Sequence, residues 1–232
     1  MVKLMNLELK RNNINTYIYA CIAILIFLTA FIFFIANVAH IENDVEFQNY
    51  KNIYVFVGIM SMIIFSILIA VMYTRFIISE YTGKRLALLF TYPISRKKIF
   101  LAKIFVVFLF NTVSMLLCNA ISFIIFNISE SISPIVNDTL TQDLLISAII
   151  SIVTMVTATN AIGLISMRIG FIKKSVPTTL VTSFILAGLV GNTAISAAGN
   201  IFLSIVIIVV SISAVVIIIT ELAQKINRME VE

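Results

Sequence analysis

From Ser175 to Thr220 the chain carries no charged side chain, an uninterrupted run of 46 residues. A helical membrane crossing needs about 20 mostly apolar residues, so this run is twice as long as one crossing. Shorter uncharged runs extend from Asn12 to Ala39, Asn52 to Thr74, Ile104 to Ser129 and Leu144 to Met167. Lipid offers no partners to backbone N–H and C=O groups, which leaves helices and closed barrels as the spanning structures. These runs are continuously apolar and lack the alternation of a barrel strand. The predicted fold class is therefore all-α and integral to the membrane. Gly191, Asn192, Gly199 and Asn200 are turn formers near the middle of the long run and divide it in two. Six transmembrane helices result, near 17–38, 53–74, 104–126, 144–167, 176–192 and 201–220, within a single transmembrane domain spanning 1–232.

The hydrophobic share of 61% and the charged share of 12% compare with roughly 45–50% and 25% in soluble domains, and a water-soluble chain of this length has no means of burying that much apolar surface. Lys10 and Arg11 precede the first run, which is too long for a signal-peptide core and reads as a retained first span. Fifteen of the 16 Lys and Arg residues fall on the side that holds both termini, and Lys51 alone falls on the other. The positive-inside rule then places the N-terminus, the C-terminus and the basic 75–103 loop in the cytoplasm. The net charge of +5 thus reports topology, and no nucleic-acid partner is expected. Abundant Ile, Asn and Lys with no Trp suggests a bacterial genome, hence a multi-pass protein of a bacterial cell membrane. Ahead of the first span, Met1, Leu4, Met5 and Leu9 share one helical face opposite Lys3, Asn6 and Lys10. The pattern fits a short helix lying in the inner interface, and equally a frayed basic terminus that only sets orientation.

Missing chemistry narrows the function. No G-x-x-x-x-G-K-[ST] phosphate loop occurs, so the chain is not expected to bind ATP in that manner. His40 is the only histidine and sits in the first external loop. Cys21 and Cys118 each lie in an apolar run, which argues against a metal or disulfide framework. The interiors of the six spans hold no Asp, Glu, Lys, Arg or His, the groups on which ion-coupled transport and intramembrane proteolysis depend. The chain is expected to be no enzyme and to bind no metal or cofactor itself.

The segment between the second and third spans carries the most pattern. Glu80 and Gly83 precede Lys84 and Arg85, and an amphipathic stretch containing Leu88 and Leu89 runs on to Pro93, which a helix cannot comfortably continue. Ser95 is a natural N-cap for the next helix. Arg96, Lys97 and Lys98 then place positive charge in that helix's first turn, against the helix dipole. Anionic headgroups, worth about 1 kcal/mol per basic residue near the surface, compensate for this; so would an acidic face on a cytoplasmic partner.

The stretch from Glu80 to Lys103, with its run Leu88-Leu89-Phe90-Thr91-Tyr92-Pro93-Ile94-Ser95-Arg96, resembles the loop of ABC-2 type permease subunits. Among such subunits it looks similar to the permeases of Gram-positive lantibiotic, bacitracin and phenol-soluble-modulin exporters. The resemblance implies an ABC-2 (type V exporter-like) transmembrane domain. It also implies a separate cytoplasmic ABC ATPase carrying ATP and Mg, and a second permease subunit, identical or homologous, in the lipid membrane. Glu80, Gly83, Lys84, Arg85, Leu88, Leu89, Pro93, Ser95 and Arg96 would form the ATPase-coupling loop. Many relatives have a threonine soon after the loop glycine, where this chain has Lys84 and Arg85.

Two polar stripes are candidate pathway linings. Asn111, Ser114, Cys118 and Ser122 share a face of the third span, and Ser147, Ser151 and Thr154 share a face of the fourth. Small and hydroxylated residues also serve as helix–helix glue, so both roles stay open. The uncharged spans favour a hydrophobic or amphipathic cargo such as a peptide. The alternative is a membrane immunity or sensor component that binds a cytoplasmic partner without transporting.

Overall fold

The computed structural model describes residues 2–42, 49–80, 96–136, 138, 141–197 and 200–227. Within them lie α1 (Val2–Arg11), α2 (Ile14–Glu42), α3 (Tyr50–Tyr73) continued by a π turn (Thr74–Ile78), α4 (Arg96–Ile132), α5 (Gln142–Lys173), α6 (Val176–Ala197) and α7 (Ile201–Asn227). Six of these helices, α2 to α7, are long and apolar enough to cross a membrane, as the uncharged runs predict. α3 with its π turn, α4 and α5 reach past their runs at both ends, so several charged residues fall within the end turns of helices. The end where Lys and Arg collect is called the inner end below.

Local chemistry accounts for the boundaries. Asn13 adopts a left-handed conformation, φ 47°, which Asn tolerates better than most residues. It separates α1 from α2. Lys174 is likewise left-handed at the end of α5, and the Ser175 N–H donates back to the Gly170 carbonyl at 3.1 Å, the bond that closes a Schellman cap. Pro177 follows in the first turn of α6, where a missing N–H costs nothing. Thr141 caps α5 through its hydroxyl. Asn200 caps α7, its Oδ1 accepting from Phe202 N–H at 3.1 Å and Leu203 N–H at 3.4 Å.

This last cap corrects the expected break in the long run. α6 continues through Gly191 and Asn192 to Ala197, so the first pair of turn formers is helical. Gly191 is buried, and a Cβ placed there would stand 3.4 Å from Ile59 of α3. It serves close packing, a common use of glycine in membrane helices.

α3 and α5 form the centre of the bundle, each with 61% of its most apolar stretch buried, whereas α7 buries 17%. α6 packs on both central helices, α7 chiefly on α5, and α2 and α4 pair on the other flank against α3. Two apolar clusters stack along the bundle. The outer one joins Leu28, Ile53, Met62, Phe65, Phe126 and Val156. The inner one joins Tyr17, Tyr73, Phe76, Phe100, Leu164 and Leu222. Since lipid is as apolar as these side chains, association rests on close packing. Gly163 provides it at the centre: a Cβ there would meet Ile69 at 2.7 Å, and Ile69 is fully buried.

A Gly163→Ala change should therefore destabilise the α3–α5 pair by about 1–3 kcal/mol, the usual cost of overpacking. Gly188→Ala, where an added Cβ meets nothing within 4 Å, should be neutral or mildly stabilising. Thermal unfolding of the two variants in detergent checks this, and equal midpoints would contradict the packing account.

Candidate functional site

Four charged side chains converge at the inner end. Lys103 lies two turns into α4, one face of which is committed to the inner cluster through Phe100 and Val107. Its position on that face carries the side chain inward, where it is fully buried. An ammonium has three N–H donors, and all three are matched. Lys103 Nζ donates to Glu8 Oε2 at 3.0 Å, to the Phe76 carbonyl at 3.2 Å and to Glu80 Oε2. Arg11 completes the group, pairing with Glu80 and, at 3.7 Å, with Glu8. Two carboxylates face two cations, so the cluster is neutral as a whole.

The backbone prepares one of these contacts. In an α-helix the Phe76 carbonyl would accept from the N–H of Glu80, four residues on. The π turn shifts the register: Ser79 N–H reaches back five residues to Thr74, and Glu80 N–H bonds to the Ile77 carbonyl. The Phe76 carbonyl, which the Glu80 N–H does not take, accepts from Lys103. The ammonium thus also sits at the negative end of the α3 dipole, a favourable position. π turns of this kind are frequent at functional sites.

Glu8 enters the cluster from α1. Met5 and Leu9 pack against the inner cluster, which turns Glu8 toward Lys103, while Leu7 is exposed. The α1 helix is therefore present as the N-terminal pattern suggests, but Glu8 is an anchor that the apolar pattern alone does not reveal. Its signal was available: Glu8 is the sole acidic residue before the first span, and Lys103 interrupts an otherwise apolar stretch from Ile99 to Val106.

Of the expected coupling residues, Glu80 belongs to this cluster. Arg96 opens α4. Gly83, Lys84, Arg85, Leu88, Leu89, Pro93 and Ser95 lie outside the described residues. The described parts of the 75–103 segment are helical or turn-like, and its two flanks meet at the cluster.

The candidate pathway residues fall into separate environments. Asn111 is buried and donates to Asn160 Oδ1 of α5 at 3.3 Å, and Asn160 in turn donates to Thr112 at 2.9 Å. Ser114 stands beside Cys21 of α2. The Cys118 thiol approaches the Cys21 carbonyl at 3.6 Å, and Ser122 shares a 3.1 Å hydrogen bond with Thr29 of α2. The first stripe therefore joins helices within the chain. Ser147 and Ser151 line a groove of about 270 Å³ between the outer ends of α5 and α7, with Asp143, Asn200 and Ser204. Thr154 is buried and bonds back to the Ile150 carbonyl.

At the outer end, Glu130 is a third buried carboxylate. Its Oε2 accepts from the Tyr50 hydroxyl at 3.2 Å and from the N–H groups of Ile135 and Val136 at 3.1 and 3.2 Å, which fastens the segment after α4 to the start of α3. Among the described residues, no group of three or more His, Cys, Asp or Glu side chains is placed to hold a metal.

Comparison with known proteins covers most of this architecture. A family model described as "ABC-2 family transporter protein" matches residues 6–190, a stretch containing all four charges of the inner cluster. An uncharacterized protein, YcbO, of Bacillus subtilis (strain 168) is 24% identical over 192 residues, covering 83% of this chain and 84% of its own length. No solved structure matches.

Removing one partner of a buried charge group costs about 3–5 kcal/mol, whereas replacing the group as a whole is often neutral. Lys103→Met should accordingly lower the unfolding midpoint sharply, and the triple change Glu8→Gln, Glu80→Gln, Lys103→Met should recover most of the loss. Thermal unfolding of the series decides; additive effects would show that the three groups do not act together.

Proposed function

The chain belongs to the ABC-2 family of transporter membrane proteins, and from that membership we propose that it is the permease subunit of an ATP-binding-cassette exporter for a hydrophobic or amphipathic cargo. Members of such a family work with an ATPase, and this chain has no phosphate-binding loop of its own. The ATPase is proposed to be a separate cytoplasmic subunit that grips residues 81–95.

One observation carries this reading. Glu80 and Lys103, on the two flanks of that segment, are ion-paired to each other and to α1. A force on residues 81–95 is therefore applied to α3, α4 and α1 as one unit. ATP closing its own subunits favours whichever permease arrangement binds the closed ATPase better, which is what a population shift requires. A second permease subunit, identical or homologous, is proposed to complete the pathway in the membrane, because the largely unburied α7 and α2 leave broad apolar faces for it and for lipid. A peptide is the cargo class that suits spans whose mid-membrane turns hold amides and hydroxyls in place of charges.

Separate substitutions divide the mechanism. Arg85→Ala should weaken ATPase association by about tenfold, the loss of one charge-assisted contact near 1.4 kcal/mol. Glu80→Ala should leave the ATPase bound and reduce ATP-driven export into inverted vesicles. Co-purification and transport assays read the two effects. Purification without any nucleotide-hydrolysing subunit, or export unchanged in both variants, would favour a non-transporting membrane component.

A further inference from the structure

A cleft of about 500 Å³ opens on the side of the bundle between α1, α4 and α7. Met5 of α1, Leu101, Phe105 and Phe108 of α4, and Val215 and Ile219 of α7 line it. α4 runs outward from its basic start and α7 runs inward toward Asn227. The cleft thus lies in the inner half of the membrane, over the eight residues from Leu101 to Phe108, or about 10 Å of helix rise. That depth matches part of one leaflet's hydrocarbon, whose full thickness for two leaflets is about 30 Å.

The charge above the cleft is not neutral. Lys97 precedes Leu101 by four residues and Phe105 by eight; Lys98 precedes Leu101 by three and Phe105 by seven. Those spacings put both lysines on the helical face that lines the cleft, about one turn closer to the water. Both are exposed, and no ion pair to either occurs among the described residues. Lys103, by contrast, points into the charge cluster on another face. The lysines also stand in the first turn of α4, where the helix dipole disfavours them unless an anion is near.

We propose that this cleft is a binding site for an anionic phospholipid of the inner leaflet, with one acyl chain in the groove and the phosphate at Lys97 and Lys98. An apolar slot within the inner leaflet's hydrocarbon and an unpaired dication at headgroup height match the two halves of such a molecule. The lipid would touch α1 through Met5, three residues from Glu8, and α7 through Val215 and Ile219. It would therefore brace the helix that carries one carboxylate of the charge cluster. The site stands apart from the exporter reading, since it needs neither an ATPase nor a cargo.

The chain contains no tryptophan, which permits a direct test with the full-length protein in vesicles. Phe105→Trp places an indole at the cleft, on a side chain already half exposed, and Phe202→Trp places one at the outer end of α7 as a control. Vesicles hold phosphatidylcholine with a minor fraction of either brominated phosphatidylglycerol or brominated phosphatidylcholine as quencher. At the cleft, the anionic quencher should be enriched about fivefold or more over the neutral one, the factor expected for about one basic contact. At Phe202→Trp the two quenchers should be equal. Adding Lys97→Gln and Lys98→Gln to Phe105→Trp should abolish the preference. The phosphatidylglycerol retained by wild-type protein after detergent extraction, compared with the Lys97→Gln, Lys98→Gln variant, gives the same reading without the indole. Equal quenching at the cleft, or a preference and retention that survive loss of both lysines, would overturn the site. Neither result would bear on ATPase association.

Discussion

An ammonium ion with no access to water is the constraint around which the inner half of this protein is arranged. Burying an isolated charge costs several kcal/mol even after relaxation, and Lys103 is fully buried. It is tolerated because three acceptors from two other helices reach it. None of those acceptors is free to leave. If α1 moves off, Glu8 goes with it; if α3 slides, both Glu80 and the Phe76 carbonyl are lost. The cluster adds little net stability over an apolar core of the same shape, but it fixes the relative register of three helices. Apolar packing alone permits neighbouring registers at small cost.

The π turn belongs to the same logic. A regular α-helix to the end of α3 would have committed one lone pair of the Phe76 carbonyl to the Glu80 N–H, and Lys103 would have shared its third acceptor. The turn instead leaves Ile78 packed near the α5–α6 contact: the Cδ1 of Ile78 would stand 3.0 Å from a Cβ at Gly170. The end of α3 thus touches the charge cluster on one side and the α5–α6 corner on the other. A displacement of the segment beyond Glu80 meets both.

Much of this was legible in the sequence and some of it was not, for definite reasons. Lengths of uncharged run determine the number of crossings because lipid leaves the backbone few alternatives, and the helices follow. The α6–α7 break was harder: Gly191 and Asn192 carry turn chemistry, yet glycine in a membrane helix is also how backbones approach, and the contact with Ile59 decided for the helix. Asn200 marked the true start of α7 because its side chain caps two N–H groups there. The charge cluster joins residues 95 positions apart, Glu8 and Lys103, and no periodicity links them. Its legible trace was misplacement: a carboxylate in a basic terminus and a lysine in an apolar stretch. The polar stripe of α4 was legible as a stripe, but whether it faces α2, α5 or a pathway depends on helix rotation, which composition does not set.

The extent of family similarity also bears on which parts of the bundle act together. The matched stretch ends at residue 190, within α6, so α7 lies beyond it. α7 is nonetheless bound into the fold. Leu222 and Ile226 are buried in the inner cluster, and Arg168 of α5 pairs with Glu221 at 2.7 Å. These contacts all belong to its inner third. Its outer portion is mostly exposed and is steadied by the Asn200 cap and by Ser204, whose hydroxyl reaches the Ala197 carbonyl at 3.4 Å. An element fastened firmly at one end and loosely at the other can pivot about the fastened end. That end is level with the charge cluster, and the loose end borders the groove at Ser147 and Ser151. Motion of α7 about its inner end would therefore be largest at the outer groove lined by Ser147 and Ser151.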